Sequence, residues 1–491
     1  MKTKLDKLIL GYDIMFPYCE VPNALNPKYL NFAEHCNWDF DKSESYFLNE
    51  LKIVWPVFNG RFLVQLNDES GHPGHFAIDK KSVYDIIKDR ERGKPQYNWY
   101  YLIEPYGHIN NFLGLTKEYR GEFFDKFIPK KTLEEIRDGN GKLIINYSID
   151  GGFETHNVIQ LKKSLDNLNL PKEKIIIIHN DIHLESMMKP IFDENMPKLI
   201  HYCFSLNSKS EEYYKKHTEK EYYFWNNAER KKKYDFQSKE ESFDFSNKTH
   251  KFLNLNRRLR RHRFDILKFF WDENMFDDVL LSYDYKLLVG DAMEHSSKKY
   301  DIDEFGRFIN YLNENPKKTV DYEDLESVWG YGFETKEIYK QSLISILSET
   351  NFYEETGYLS EKIWKPIAHG HPFILVGPYN SLKSLREDFG FKTFSPFIDE
   401  SYDNEKDSNI RMEMIQKEIK RLNNYTIDEL KELVKKLKEV ILYNKDLLFK
   451  YGSKNHICLD YLHYLKISER DDEANKILNT FLQNLNKIRL I

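Results

Sequence analysis

Residues 342–378 read SLISILSETNFYEETGYLSEKIWKPIAHGHPFILVGP, and this stretch decides the fold. The apolar run that ends at Glu349 predicts a buried strand, and Ser360 is placed to begin a helix. The following apolar run, PFILV, predicts a second strand. A strand, a helix and another strand at this spacing form a right-handed parallel unit, so we expect an α/β fold.

The same alternation extends in both directions from this stretch. The N-terminal stretch MKTKLDKLILGYDIMF predicts a first strand, while the rest of residues 1–120 is irregular and has no assigned elements. Further strands are predicted, with helices between them, at residues 142–150, 174–181, 199–207, 251–256 and 277–284.

Two α/β units in series follow from this pattern. The expected organisation is an irregular N-terminal part of the first domain (1–120), a Rossmann-like first domain (121–247), a Rossmann-like second domain (248–410) and three C-terminal helices (411–491).

Composition excludes several classes of protein. The 491 residues carry 73 Lys and Arg against 79 Asp and Glu, a formal net charge of −6, which disfavours a general nucleic-acid binder. A mean hydropathy of −0.67 argues against a multispanning membrane protein. From the hydropathy we expect no membrane span. Four dispersed cysteines suit a reducing compartment, so we expect a cytoplasmic location, in a host cell if the protein is viral.

A cluster of arginines follows one predicted strand. Residues 255–263 read LNRRLRRHR and lie between the strand at 251–256 and a helix. Ligands of open parallel sheets bind outside the carboxyl ends of the strands, where guanidinium groups suit phosphate. A solvated basic helix face is the plainer interpretation, and a nucleic-acid groove is a further alternative. The candidate phosphate ligands are Arg257, Arg260 and Arg263.

The deciding stretch supplies a second group of candidates. Ser360 is a favourable N-cap, and Glu361 in the first turn suits the helix dipole, so both have structural explanations. Lys362 in that turn opposes the dipole, which indicates an anionic ligand shared with the helix N–H groups. Glu349 is expected close to Glu361, where a carboxylate could hold ribose hydroxyls.

These motifs resemble those of the alpha-1,3-fucosyltransferase family. Ser348-Glu349-Thr350 followed by YLSEKIWKPIAHGHPFILVGP is similar to the donor-binding signature of that family, and KFLNLNRRLRRHR is similar to its arginine-bearing segment. The LNRR…HR, SEK and DESYD (399–403) patterns also resemble uncharacterised glycosyltransferases of phages and large viruses. The resemblance covers about residues 250–405.

The resemblance implies a glycosyltransferase of the GT-B type, with two facing Rossmann-like domains and a nucleotide sugar between them. Lys362 would meet the diphosphate, Glu361 the ribose, and an arginine a second phosphate. The partners implied are a nucleotide sugar and a glycan or another hydroxyl acceptor, with no cofactor and no required metal. Donor base and sugar stay open, because Glu349-Thr350 stands where that family usually carries Glu-Asn.

An inverting transferase also needs a base for the acceptor hydroxyl. The candidates follow the strand at 142–150: Asp150 and Glu154, with His156 close by, and Asp181 with His183 after the next strand. Ordinary acidic turn residues explain these positions equally well. Asp301-Ile302-Asp303 matches the metal-binding D-x-D pattern but follows no apolar strand, so we interpret it as coincidence.

The sequence therefore predicts a glycosyltransferase. The alternative is a non-catalytic protein that binds a glycan or nucleotide on a degenerate transferase fold, and a nucleic-acid-modifying transferase is a third hypothesis. Ligand binding with no transfer would favour the second, and salt-dependent binding to DNA or RNA the third.

Overall fold

A computed structural model describes most of the chain and shows an α/β protein with two separate sheets. The described residues are 6–12, 76–103, 128, 130–147, 153–203, 205–206, 237–288, 301–318, 336–452, 465–467 and 469–487. They fall into two compact units, Ser205–Ser453 and the remainder on either side of it, Met1–Phe204 with Lys454–Ile491.

The first unit contains a six-stranded sheet with the order β2-β1-β3-β4-β5-β6, in which every neighbouring pair is parallel. Its strands are β1 Asp6–Tyr12, β2 Phe76–Ser82, β3 Trp99–Ile103, β4 Gly141–Tyr147, β5 Ile175–His179 and β6 Lys198–His201. Strands β1, β4, β5 and β6 confirm predicted strands. Strands β2 and β3 lie in the part of the chain where the sequence pattern assigned none.

Helices accompany these strands as the alternating pattern predicts. They are α1 Val83–Glu91, α2 Lys130–Asp138, α3 Thr155–Asn167 and α4 Leu184–Phe192. The strand β5 reads IIIIH and is buried along its whole length, as expected for a parallel sheet covered on both faces. Leu161 and Leu165 of α3 join the same core as Ile175 and Ile177.

The second unit contains a five-stranded sheet with the order β11-β10-β7-β8-β9. Its strands are β7 His250–Leu259, β8 Val279–Leu288, β9 Lys317–Lys318, β10 Ser342–Ser348 and β11 Phe373–Val376. All neighbouring pairs are parallel except β8 and β9, which are antiparallel. The strands predicted at 251–256, 277–284, 342–349 and 372–376 are confirmed as β7, β8, β10 and β11.

The helices of the second unit are α5 Arg261–Asp272, α6 Ile302–Glu314, α7 Lys336–Gln341, α8 Glu361–His369, α9 Ser381–Glu387, α10 Ser408–Asn423, α11 Ile427–Lys436 and α12 Lys438–Gly452. The helix α13, Asp471–Lys487, belongs to the first unit. The chain after residue 411 therefore holds most of α10 and three further described helices, one more than predicted.

The helix α13 and the residues before it contact the first sheet through lysines. Lys198 of β6 donates to Asp471 at 2.6 Å and to the carbonyl of Lys466 at 2.6 Å, and Lys142 of β4 pairs with Glu469. The C-terminal segment thus returns to the first unit. Among the helices that the structure describes, we find none both long and apolar enough to cross a bilayer.

Candidate functional site

The strand order of the second sheet reverses between β7 and β10, and we call the region outside the carboxyl ends of these two strands the β7–β10 crevice. From β7 the chain passes through α5 to β8, towards one edge of the sheet. From β10 it passes through α8 to β11, towards the other edge. The loops after these two neighbouring strands therefore diverge. In open parallel sheets this reversal of strand order is where ligands bind, outside the carboxyl ends of the strands.

Two arginines lie on the β7 side of the crevice. Arg260 is the N-cap residue of α5, and its half-buried side chain makes no hydrogen bond or ion pair with the described part of the chain. Arg263 is buried and donates only to backbone carbonyls, those of Arg258 at 3.0 Å, Glu349 at 2.8 Å and Ser348 at 3.4 Å. Burial, reinforced by Arg260, lowers the pKa of Arg263 to about 10.

His262 joins the start of α5 to the end of β10. Its Nε2 lies 2.9 Å from the carbonyl oxygen of Glu349, and because a carbonyl can only accept, Nε2 carries the proton. Burial, together with Arg263, holds the pKa of His262 well below its usual value. The ring stacks on Phe352, with 5.7 Å between centroids. His262 is therefore a neutral structural contact across the crevice.

Glu349 is fully buried at the end of β10 and positions the N-cap of α8. One carboxylate oxygen accepts from the backbone N–H of Ser360 at 3.2 Å, and the other accepts from the Ser360 hydroxyl and from the N–H of Thr350 at 3.3 Å. Burial raises the pKa of the Glu349 carboxyl, while Lys362 and Ser360 act to lower it. Its oxygens thus hold Ser360 in place.

Lys362 is held by three oxygens in the first turn of α8. Its Nζ lies 3.1 Å from Ser360 Oγ, 3.1 Å from Glu361 Oε1 and 3.2 Å from Thr350 Oγ1. Burial raises the pKa of Glu361, but the nearby Lys362 and Lys365 lower it to about 2, so Glu361 is ionised. Glu361 is thus a partner that offsets the unfavourable place of Lys362 on the helix dipole.

The crevice therefore brings together most of the second-domain residues selected from the sequence. Three cations, Arg260, Arg263 and Lys362, face two carboxyl groups, Glu349 and Glu361. The cations outnumber the carboxyl groups, so the site favours an anion of one or two charges. The backbone of Arg257 lies in β7, but its side chain is outside the part that the structure describes.

Two of the first-unit candidates follow strands of the other sheet along the chain, Glu154 after β4 and Asp181 after β5. Asp150 is outside the described residues. Glu154 precedes α3, and its carboxylate lies 3.2 Å from Nδ1 of His156, while Asn157 Nδ2 lies 3.0 Å from His156 Nε2. An exposed carboxylate beside an imidazole can take up a proton from a hydroxyl group.

Asp181 has a structural role. It is buried and accepts from the backbone N–H groups of Phe153 at 2.6 Å and His183 at 2.8 Å, which fixes the turns after β4 and β5. Asp301 likewise caps α6, since one oxygen accepts from the N–H groups of Asp303 and Glu304. The D-x-D match is explained by this cap.

The DESYD segment, residues 399–403, supports the end of the second sheet. Glu400 accepts from the N–H of Phe394 at 2.6 Å, the hydroxyl of Tyr402 accepts from the N–H of Leu375 at 3.2 Å, and Asp403 accepts from the N–H groups at the start of α9. Each contact is with the backbone of a neighbouring element, so these side chains are scaffold.

Two polar residues of the crevice were missed by the sequence analysis, Asn256 of β7 and Ser348 of β10. Both are buried near the carboxyl ends of these strands. A signal for Asn256 was present in the sequence, because Asn254 and Asn256 alternate with Leu253 and Leu255, which places two polar side chains on one buried face.

Comparison with family models, with curated proteins and with solved structures finds no match to this chain.

Proposed function

We propose that the protein is a glycosyltransferase that moves a sugar from a nucleoside-diphosphate donor to a hydroxyl acceptor. The observation that carries this proposal is the pair Arg260 and Arg263 at the β7–β10 crevice. One guanidinium is half-buried with no hydrogen-bond or ion-pair partner in the described part of the chain, and the other is buried and donates to backbone carbonyl oxygens. Two neighbouring guanidinium groups without a carboxylate in contact favour an anionic ligand.

The diphosphate of the donor would lie across the two loops of the crevice. Arg260 would contact it from the β7 side, and Lys362 from the β10 side, with the first N–H groups of α5 and α8 nearby. Arg263 lies behind Arg260 and contributes charge. Glu361 would accept from hydroxyl groups, as its ionised state allows.

The bonds formed and broken in the proposed reaction, its electron pair and its proton can all be accounted for. The acceptor oxygen forms a bond to the anomeric carbon, the bond from that carbon to the diphosphate oxygen breaks, and its electron pair leaves with the diphosphate. Arg260 and Lys362 stabilise the charge that develops there, so the proposal requires no divalent metal. The proton of the acceptor passes to a general base, for which the sequence suggests Glu154 or Asp150.

Titration calorimetry with a panel of nucleoside diphosphates and their sugar conjugates tests the proposal, followed by chromatographic detection of released nucleoside diphosphate. We expect at least one donor to bind and to be turned over, and Lys362→Ala to lose both properties while its unfolding transition stays cooperative. The matched control is Lys435→Ala, whose lysine pairs with Glu432 on α11.

Three outcomes would change the conclusion. If Lys362→Ala keeps normal turnover, the role of Lys362 is wrong. If the wild type binds donors but transfers no sugar to water or to any offered acceptor, the protein is a binding protein on this fold. If no member of the panel binds, the crevice is not a nucleotide-sugar site.

A further inference from the structure

Three buried polar atoms at the β7–β10 crevice have no hydrogen-bond partner in the part of the chain that the structure describes. They are Asn256 Oδ1, Ser348 Oγ and Arg263 Nε. Asn256 is 4% exposed, Ser348 2% and Arg263 6%. Buried polar atoms are almost always paired, so three such atoms at one crevice require an explanation.

The orientation of the Asn256 amide follows from its neighbours. The carbonyl of Ile346 can only accept, so the group of Asn254 that lies 2.7 Å from it is the amide nitrogen. The oxygen of Asn254 is then fixed as the acceptor for Asn256 Nδ2, at 2.6 Å. Asn256 therefore presents its oxygen, a pure acceptor, as the unpaired atom.

Asn256 and Ser348 follow the same contact on two neighbouring strands. β7 and β10 pair in parallel up to Leu253 and Ser345, Asn254 Nδ2 then donates to the carbonyl of Ile346, and Asn256 and Ser348 each stand two residues further along. Ser348 is also joined to the arginine cluster, because Arg263 Nη2 lies 3.4 Å from its carbonyl oxygen. The backbone of Ser348 thus adjoins one cation of the crevice.

We propose that Asn256 and Ser348 form a subsite for a hydroxyl group of the donor, next to the phosphate contacts. This inference rests on the proposed function. An amide oxygen accepts only from a group with a hydrogen to donate, and the doubly esterified diphosphate of a nucleotide sugar has none at neutral pH. A hydroxyl group can donate to Asn256 Oδ1 and also exchange a hydrogen bond with Ser348 Oγ. The matching ligand chemistry is a hydroxyl of the ribose or of the transferred sugar.

The test uses Ser348→Ala, with Ser345→Ala as its matched control. Ser345 is a buried serine on the same strand, but its hydroxyl is paired with His371 Nδ1 at 2.7 Å. Calorimetry measures the affinity of the full-length wild type and both variants for three ligands: inorganic pyrophosphate, a nucleoside diphosphate and the corresponding nucleoside-diphosphate sugar. Asn256→Ser, which shortens the side chain, is the second variant.

We expect Ser348→Ala and Asn256→Ser to weaken binding of the nucleoside-diphosphate sugar about tenfold, the effect of one lost hydrogen bond, and to leave pyrophosphate affinity unchanged. An equal loss for the nucleoside diphosphate would assign the hydroxyl to the ribose, and no loss would assign it to the sugar. Ser345→Ala should change none of the three affinities.

The subsite is wrong if both variants bind the sugar conjugate as tightly as the wild type, or if they weaken pyrophosphate to the same extent. A wild type that binds pyrophosphate and the sugar conjugate equally well would also overturn it, while leaving the anion site intact. A wild type that binds none of the three ligands refutes the proposed function itself.

Discussion

Arg263 donates from Nη2 to the backbone carbonyl of Glu349 at 2.8 Å, so the first turn of α5 is fastened directly to the end of β10. The same guanidinium reaches Arg258 O at 3.0 Å on its own side of the crevice. Arg263 and its neighbour His262, which also bonds to the Glu349 carbonyl, therefore hold together the two loops that diverge from β7 and β10. The charge that attracts an anion and the contact that shapes the site belong to one residue.

Replacing Arg263 should therefore affect stability first. In Arg263→Leu, the carbonyls of Arg258 and Glu349 each lose a guanidinium donor, while the N–H of Arg260 and His262 Nε2 still reach them. We expect the free energy of unfolding to fall by about 2–4 kcal/mol, as for the loss of a buried, hydrogen-bonded charged group. Denaturant unfolding followed by circular dichroism measures it. An unchanged denaturation midpoint would show that Arg263 does not stabilise the contact between α5 and β10.

Replacing Arg260 should reduce ligand affinity and leave the free energy of unfolding almost unchanged. Its side chain makes no contact by hydrogen bond or ion pair with the described part of the chain, so Arg260→Ala should unfold within about 0.5 kcal/mol of the wild type. Pyrophosphate affinity should fall about tenfold or more, because a charge-assisted bond is lost. Calorimetry at two salt concentrations measures this loss, which should shrink as salt rises. Arg258→Ala, at an exposed position, is the control.

The location of the site could be predicted because strand ends and cationic side chains are both visible in a sequence. LNRRLRRHR spans the end of β7 and the start of α5, and Lys362 follows the predicted N-cap Ser360. The partners of these residues could not be predicted, because Arg263 bonds to backbone carbonyls that are more than 80 residues away along the chain. No side-chain pattern records such a contact.

The N-terminal strands illustrate a different limit. Strand β2 reads FAIDKKS and lacks the apolar run that marked β5, whereas β3 reads WYYLI, a run of five apolar residues that the sequence analysis did not assign. Their place in the sheet depends on pairing with β1 and β4, which is a tertiary effect. The return of α13 to the first unit is likewise a tertiary contact, made through Lys198 and Asp471.

A pH dependence is expected from Lys248, which is buried and donates to the carbonyl of Tyr339 at 2.6 Å and to that of Ser342 at 2.5 Å. Burial lowers its pKa from 10.5 to about 7, against a small opposing effect of Asp244. Between about pH 7 and pH 10.5, Lys248 keeps its proton in the unfolded chain but has lost it in the folded chain. The free energy of unfolding should therefore rise with pH across this window.

The comparison with Lys248→Met isolates this effect. The difference in unfolding free energy between wild type and variant should increase by about 2 kcal/mol from pH 7 to pH 9, in favour of the wild type. Denaturant titrations at the two pH values provide the measurement, and other titrating groups cancel in the difference. Parallel pH profiles would show that Lys248 does not titrate in this range.

The last prediction separates scaffold from site within the DESYD segment. Both oxygens of Asp403 accept from backbone N–H groups at the start of α9, Leu382 N at 2.8 Å and Lys383 N at 2.8 Å. Asp403→Ala should lower the free energy of unfolding by about 1–2 kcal/mol, the usual effect of losing a helix cap. Asp399→Ala is the matched control, because Asp399 holds only the exposed N–H of Ser401 and should cost less. Since Asp403 is satisfied by the backbone, the affinity of Asp403→Ala for a nucleoside diphosphate should stay within about twofold of the wild type, a difference below about 0.5 kcal/mol. A large loss of affinity with unchanged stability would instead place the DESYD segment in the ligand site.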